Sequence, residues 1–282
     1  MIYTLTLNPA LDYDVYLDGF SEGELNLSKE INIRAGGKGI NVSKVLANLE
    51  LNSKALGFTG GFIGDFIKKD LEGQNIDTDF VSLDGVTRIN VKINNNSKET
   101  EIAGLSPKIP DSKKDELFEK LIKLKDGDTL VLSGSIPDSL SKSIYKEISE
   151  RLSENIKVVL DTRGNLLDEN IHNNFLIKPN IKELEEMFEA DLDTIDKAVE
   201  KCKYFLDKNI KHIIVSMGGK GALYINKEGA YTAQVPQGTL INSVGAGDSM
   251  VAGFIAGFEL GKKPEEAFKL AVAAGSATAY SY

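Results

Sequence analysis

The chain has 282 residues, of which 41% are hydrophobic and 27% charged, and carries a formal net charge of −9. That length holds one large α/β domain or two small ones, and the acidity argues against nucleic acid or an anionic membrane as the main partner. One cysteine and two histidines leave almost nothing from which to build a disulfide framework, a zinc site or a Ser-His-Asp triad.

The amino terminus has no basic region followed by an apolar core, so no signal peptide is read there. No apolar run reaches the ~18 residues of a membrane span. A cytoplasmic protein is expected.

In chain order, residues 2–7 form the first short apolar run. Residues 13–34 then alternate with a period of two. A helical stripe comes next at Val42, Val45, Leu46 and Leu49, with the i, i+3, i+4, i+7 spacing of a core-facing side. Residues 55–58 give a second apolar run. Residues 87–103 alternate again: Ile89, Val91 and Ile93 face one way, Arg88, Asn90 and Lys92 the other, with a turn at Asn94-Asn95-Asn96-Ser97. Further apolar runs stand at 129–132, 157–160, 175–177 and 213–215. A second helical stripe uses Val251, Phe254, Ile255 and Phe258 and ends at Gly261, a C-cap candidate with Pro264 beyond.

Apolar runs bounded by turn residues and alternating with helices predict buried parallel strands in βαβ units. The two alternating stretches predict a small antiparallel sheet projecting from that core. No repeat or linker interrupts the pattern, so one folding unit over 1–282 is expected, with β-lid segments at about 13–34 and 87–103.

Ligands of open α/β sheets bind beyond the carboxyl ends of the strands. The residues just past each strand here are polar and glycine-rich: Asn8-Pro9-Ala10-Leu11-Asp12, Gly60-Gly61, Ser133-Gly134-Ser135, Asp161, Lys178-Pro179-Asn180 and Ser216-Met217-Gly218-Gly219. The most suggestive segment is Val244-Gly245-Ala246-Gly247-Asp248-Ser249, which opens the second helix. Two glycines let the backbone approach a ligand, and first-turn N–H groups point at it. Such a site would stabilise charge developing on a transferring phosphoryl group, with Asp248 beside it as a base. The plainer reading is a helix-terminal Asp that complements the dipole.

A dinucleotide fingerprint would need glycine at 250, which is Met250, and a Walker A loop would need Ser or Thr after Gly37-Lys38, where Gly39 stands. An NAD-dependent oxidoreductase is disfavoured accordingly. The second cluster, Gly36-Gly37-Lys38-Gly39-Ile40-Asn41, also opens a helix. The arginines are Arg34, Arg88, Arg151 and Arg163. Two of these four fall in the alternating segments, which favours an anionic substrate over two solvated surface charges.

Together these segments resemble the ribokinase-like (PfkB) family of carbohydrate kinases. The resemblance rests on Gly36-Gly37-Lys38-Gly39-Ile40-Asn41 and Gly245-Ala246-Gly247-Asp248. It also covers Thr4 to Asp12, Thr87-Arg88-Ile89-Asn90-Val91, Leu132 to Pro137, and Lys178-Pro179-Asn180 with Glu183. It implies a three-layer α/β fold, a mostly parallel central sheet flanked by helices, with a small antiparallel β lid.

Within the family the pattern is similar to the branch acting on sugars that already carry a phosphate, with D-fructose 1-phosphate the first expected acceptor and tagatose 6-phosphate the next. By that resemblance Asp12, Gly37, Lys38 and Asn41 would hold sugar hydroxyls, and Arg88, with Asn90 and Ser133, the substrate phosphate. Ser216, Met217, Gly218, Gly219, Lys220 and Gly221 would hold the ATP phosphates, together with Gly245, Ala246, Gly247 and Asp248. Asn180 and Glu183 would organise Mg²⁺ and its waters, and adenine would lie near Ala273, Ala274 and Gly275.

The family pattern usually continues past Tyr282, so the far side of the nucleotide pocket is expected to be incomplete. The apolar lid face predicts a homodimer. A non-catalytic sugar-phosphate sensor is the remaining rival, disfavoured because a pure binder has no need of the base.

Overall fold

The structure, a computed structural model, describes residues 1–95 and 98–281. In chain order it runs β1 (Ile2–Thr6), β2 (Ala10–Leu17), β3 (Glu30–Gly36), α1 (Lys38–Asn48), β4 (Ser53–Gly60), α2 (Gly61–Glu72), β5 (Asp77–Thr78) and β6 (Val81–Leu83). Next come β7 (Arg88–Asn95), β8 (Lys98–Ile102), α3 (Asp111–Leu121), β9 (Thr129–Ser133), α4 (Ile144–Glu150), β10 (Lys157–Asp161), α5 (Asn165–Asn170) and β11 (Leu176–Ile177). The last part holds α6 (Ile181–Phe188), α7 (Ile195–Asp207), β12 (His212–Ser216), β13 (Ala222–Asn226), β14 (Gly229–Ala233), α8 (Ala246–Glu259) and α9 (Pro264–Ala279).

The large sheet has the order β14-β13-β12-β11-β10-β9-β1-β4-β5, with β6 also on β4. All six apolar runs of the sequence lie in it and pair in parallel. The edge hairpin β13–β14 is antiparallel to β12 and within itself.

Strand alternation sorts the core into two layers. Leu130, Leu132, Leu160 and Ile213 face Leu117 of α3, Ile144 of α4 and Phe205 of α7. Their neighbours Val131, Val159 and Ile214 face Val42 of α1, Phe254 of α8 and Phe268 of α9. Helices on both faces are what a buried parallel sheet requires. At Gly257 a Cβ would lie 2.5 Å from the Ala267 Cα, so α8 seats directly on the backbone of α9. That contact fixes where the amino end of α8 points. Gly261, at φ +69°, ends α8 in the left-handed conformation that its sequence position predicted.

The small sheet has the order β3-β2-β7-β8. Each hairpin is antiparallel, as the alternation predicted, but the two are joined by parallel pairing of β2 with β7, from Ala10↔Arg88 to Leu17↔Asn95. Of the predicted turn, Asn96 and Ser97 lie outside the described residues. One face of this lid carries Asp12, Asp14, Asn90 and Lys92, all buried, while the other exposes Ile31, Ile33 and Ile89.

Candidate active site

The strand ends and the lid's polar face enclose a cleft of about 1350 Å³. Single small-molecule pockets run to roughly 1,000 Å³, so this one has room for two substrates side by side.

Its floor is the amino end of α8. Gly245 takes φ +79°, a left-handed conformation open to glycine. The Ala246 N–H is used by the Ser243 carbonyl at 3.2 Å. By helix geometry the Gly247 and Asp248 amides have no intrahelical acceptor, and no side chain caps them.

Asp248 is 5% exposed and accepts a hydrogen bond from Asn41 Nδ2 at 2.8 Å. Asn41 lies in α1, the helix opened by the other glycine cluster, so the two glycine loops meet at this carboxylate. Burial, with the neighbouring Asp161 charge, pushes its pKa up to about 6, against the pull of Lys38, Asn41 and Lys178. A carboxylate in that range suits proton abstraction near neutral pH better than an ordinary aspartate.

Behind Asp248 lies a buried ionic group. Asp161, at the end of β10, is 3.0 Å from Lys38 Nζ and 3.5 Å from Lys178 Nζ. Burial alone would raise the Asp161 pKa, but the two ammonium groups hold it below the usual range. Burial likewise works to lower the Lys38 pKa, and Asp161 with Asp248 more than offsets it, leaving Lys38 raised. Lys178 stands directly over the turn that opens α8, its Nζ 3.0 Å from where a Gly247 Cβ would be. Two ammonium groups gathered around the Asp161 carboxylate place donors for an anionic group beside the α8 terminus.

On the lid side, Asp12 accepts from Asn90 Nδ2 at 3.1 Å and Lys92 Nζ at 3.3 Å. Its carboxylate lies so close to Gly36 that a Cβ there would sit 2.5 Å from the Asp12 Cγ. Arg34, singled out in the sequence, is spent on Asp14 and reaches Asp12 only at 3.9 Å. Arg88 donates through Nη2 to the Asn8 carbonyl at 3.0 Å. Its Nε is buried with no partner, an orphaned donor of the kind an anionic ligand would satisfy.

Most of the expected residues converge. Asp12, Gly37, Lys38, Asn41, Arg88, Asn90, Asn180, Glu183, Ser216 to Gly219, Gly221 and Gly245 to Asp248 all line the cleft. Three do not. Ser133 is the last residue of β9, fully buried with its Oγ unpartnered. Gly134, at φ +98°, then turns the chain and presents Ser135 instead. Lys220 points away while Gly219 and Gly221 line the cleft. Ala274 packs at the α8–α9 contact, where a Gly253 Cβ would lie 2.9 Å from its Cβ, and Gly275 and Ser276 line the cleft in its place.

Sequence reasoning gave no role to Lys92, Lys178, Asn8 or Ser135. Lys92 shares a strand face with Arg88 and Asn90, and that alternation was the available signal.

Asn180 and Glu183 form a reciprocal capping box at the start of α6: Glu183 N–H donates to Asn180 Oδ1 at 2.9 Å and Asn180 N–H to Glu183 Oε2 at 2.8 Å. The box holds a carboxylate on the cleft wall. Among the described residues no three Asp, Glu, His or Cys side chains group to cage a metal. That donor set fits Mg²⁺, which is commonly held by one or two carboxylates, waters and substrate phosphates.

The sheet order, with glycine loops opening two facing helices and a carboxylate between them, is that of an α/β fold distinct from the 3-2-1-4-5-6 dinucleotide fold. Residues 5–282 match the pfkB family of carbohydrate kinases. The chain is 47% identical over 283 residues to the 1-phosphofructokinase of Bacillus subtilis, covering 100% of this chain and 93% of that protein. It is 38% identical over 284 residues to the D-tagatose-1-phosphate kinase of Bacillus licheniformis, covering 100% and 93%. The crystal structure of phosphofructokinase-2 from Escherichia coli in complex with fructose-6-phosphate superposes with a TM-score of 0.91 at 26% identity, covering 99% of this chain and 93% of that one. The chain belongs to the PfkB family of carbohydrate kinases, and within it stands among the sugar-phosphate kinases. The family expected from the sequence motifs is the one found.

Proposed function

We propose that the protein transfers the γ-phosphoryl group of ATP to the free primary hydroxyl of a ketohexose phosphate, D-fructose 1-phosphate first, giving D-fructose 1,6-bisphosphate and ADP. The observation that carries this reading is the Asp248 carboxylate, held by Asn41 at the point where the two glycine loops meet. Asp248 accepts the hydroxyl proton as the sugar oxygen bonds to the γ-phosphorus and the bond to the ADP oxygen breaks. The Gly247 and Asp248 amides face the transferring group, and Lys38 and Lys178 neutralise its charge.

Arg88 and Ser135 receive the phosphate already on the sugar, while Asp12, Gly37 and Asn41 hold hydroxyls. Ser216 to Gly221 take the nucleotide phosphates. Mg²⁺, when it arrives with ATP, would be held by Glu183 beside Asn180 and would offset phosphate charge. The chain works as one kinase unit, with the two hairpins as its lid. Among the described residues no helix is long and apolar enough to cross a membrane. The exposed lid face, with Ile31, Ile33 and Ile89 39–46% exposed, fits burial against a second copy of the chain.

The relative named for tagatose 1-phosphate makes tagatose phosphates the second acceptor class. ADP release measured with fructose 1-phosphate, tagatose 6-phosphate, fructose 6-phosphate and ribose tests the reading. Turnover fastest with fructose 1-phosphate is expected. Turnover with ribose alone would overturn it.

A further inference from the structure

Asn8, in the turn after β1, is 8% exposed and makes contacts with three separate segments. Its carbonyl accepts from Arg88 Nη2 at 3.0 Å, at the root of lid strand β7. Its side-chain oxygen accepts from the Ser106 hydroxyl at 2.9 Å, where the chain leaves the lid. Its side-chain NH₂ donates to Ser135 Oγ at 3.1 Å, in the turn beyond β9. A serine hydroxyl has one donor hydrogen and two acceptor positions. With the Asn8 amide occupying an acceptor position on Ser135, the single Ser135 O–H is left to donate elsewhere, and the cleft is the space it borders.

We infer that Asn8 is a positioning residue for the acceptor's phosphate: it sets the Ser135 hydroxyl as a donor beside the Arg88 guanidinium and ties both to the lid exit. The inference rests on the kinase reading above and adds to it. No part of Asn8 needs to touch the reacting atoms. A short polar side chain with one acceptor and one donor end is required, because one neighbour gives a hydrogen and the other takes one. Aspartate has the same shape and keeps the acceptor for Ser106, but offers Ser135 no hydrogen.

The test is steady-state kinetics on the full chain for Asn8→Ala, Asn8→Asp, Ser135→Ala and the Asn8→Ala/Ser135→Ala double variant, with thermal unfolding alongside. Loss of a hydrogen bond to a charged ligand group should raise KM for fructose 1-phosphate about tenfold in Asn8→Ala and in Ser135→Ala, with KM for ATP within about twofold. The double variant should be no worse than about twofold beyond either single, since both remove one interaction. Asn8→Asp should be impaired at least as much as Asn8→Ala.

Additive losses in the double variant, equal changes in both KM values, or wild-type behaviour of Asn8→Asp would each overturn the inference. Should Asn8→Ala fail to fold, Asn8→Asp and Ser135→Ala carry the decision. A wild-type protein that turns over no ketohexose phosphate removes the kinase reading and this inference together, whereas an active wild type with indifferent variants removes this one alone.

Discussion

Asn41 and Asp248 lie 207 positions apart in the chain and 2.8 Å apart in the structure, the amide of one donating to the carboxylate of the other. The bond holds one Asp248 oxygen, and in the proposed reaction the other takes the proton of the substrate hydroxyl. It also ties α1 to α8, the two helices opened by glycine clusters.

Replacing Asp248 by Asn keeps this shape and the Asn41 contact but removes the proton acceptor. kcat should fall by about 10²-fold or more, the usual scale for loss of a general base. ATP affinity, measured by calorimetry, should stay within a few-fold, because the amides of the α8 terminus are untouched.

The proposed base has its pKa pushed up to about 6 by burial and the Asp161 charge, so activity should carry an acidic limb. kcat/KM for the acceptor is expected to fall as pH drops through about 6, where Asp248 takes up its proton. Lys38 favours the ionised form, so Lys38→Met should move that limb to higher pH. Asp161 disfavours it, so Asp161→Asn should move the limb lower. A pH–rate profile of the three proteins reads both directions.

The same raised pKa has a stability consequence of opposite sense to catalysis. The folded pKa exceeds the unfolded one, so the protonated form is the one folding prefers. Stability from this group is therefore present at acid pH and lost as pH rises through about 6. Asp248→Asn should thus be more stable than the wild type by about 2–3 kcal/mol at around pH 8, because a tenfold change in proton affinity is worth about 1.4 kcal/mol. The gain should shrink toward about pH 4. Urea unfolding at the two pH values measures it, and a variant that is both inactive and more stable is the expected outcome.

Arg88 lines the cleft and keeps a buried Nε without a hydrogen-bond partner. Arg88→Ala should raise KM for the sugar phosphate by about 10- to 100-fold, the worth of a charge-assisted contact, with little change for ATP. Arg88→Lys should recover only part of the loss, since a single ammonium cannot reproduce a guanidinium held at Nη2 by Asn8.

A charge on the lid's outer face tests the second copy. Ile33→Lys lies opposite Tyr13 in the lid ladder, away from the cleft. It should shift sedimentation from dimer to monomer, while Arg88→Ala, on the inner face, should not.

Six parallel strands were legible because each is a short apolar run; β5 and β6, also parallel to β4, were not, being only two and three residues long. In the β13–β14 hairpin, β13 is a buried apolar run that the sequence reading passed over, whereas Gly229-Ala230-Tyr231-Thr232-Ala233 of β14 is largely exposed and carries no apolar run. Alternation at 13–34 and 87–103 disclosed a sheet with a wet and a dry face. It said nothing about which strands would be neighbours, because a period of two is the same for parallel and antiparallel partners.

Among site residues, Asp248 was readable from the glycines around it. Ser133 entered through the family resemblance, whereas Ser135 is the serine of that turn on the cleft wall. The structure ends β9 at Ser133 and turns at Gly134. Lys178 and Asp161 stood on the polar rim in the sequence. Their ion pair depends on adjacent strand ends, which only the sheet order supplies.

The parallel seam between β2 and β7 has a bearing on engineering. Neither hairpin owns the cover of the cleft. A graft that exchanges one without the other would mismatch eight rungs of the ladder, from Ala10↔Arg88 to Leu17↔Asn95. Chimaeras meant to transfer acceptor preference between relatives must therefore exchange two distant stretches of chain as one cassette.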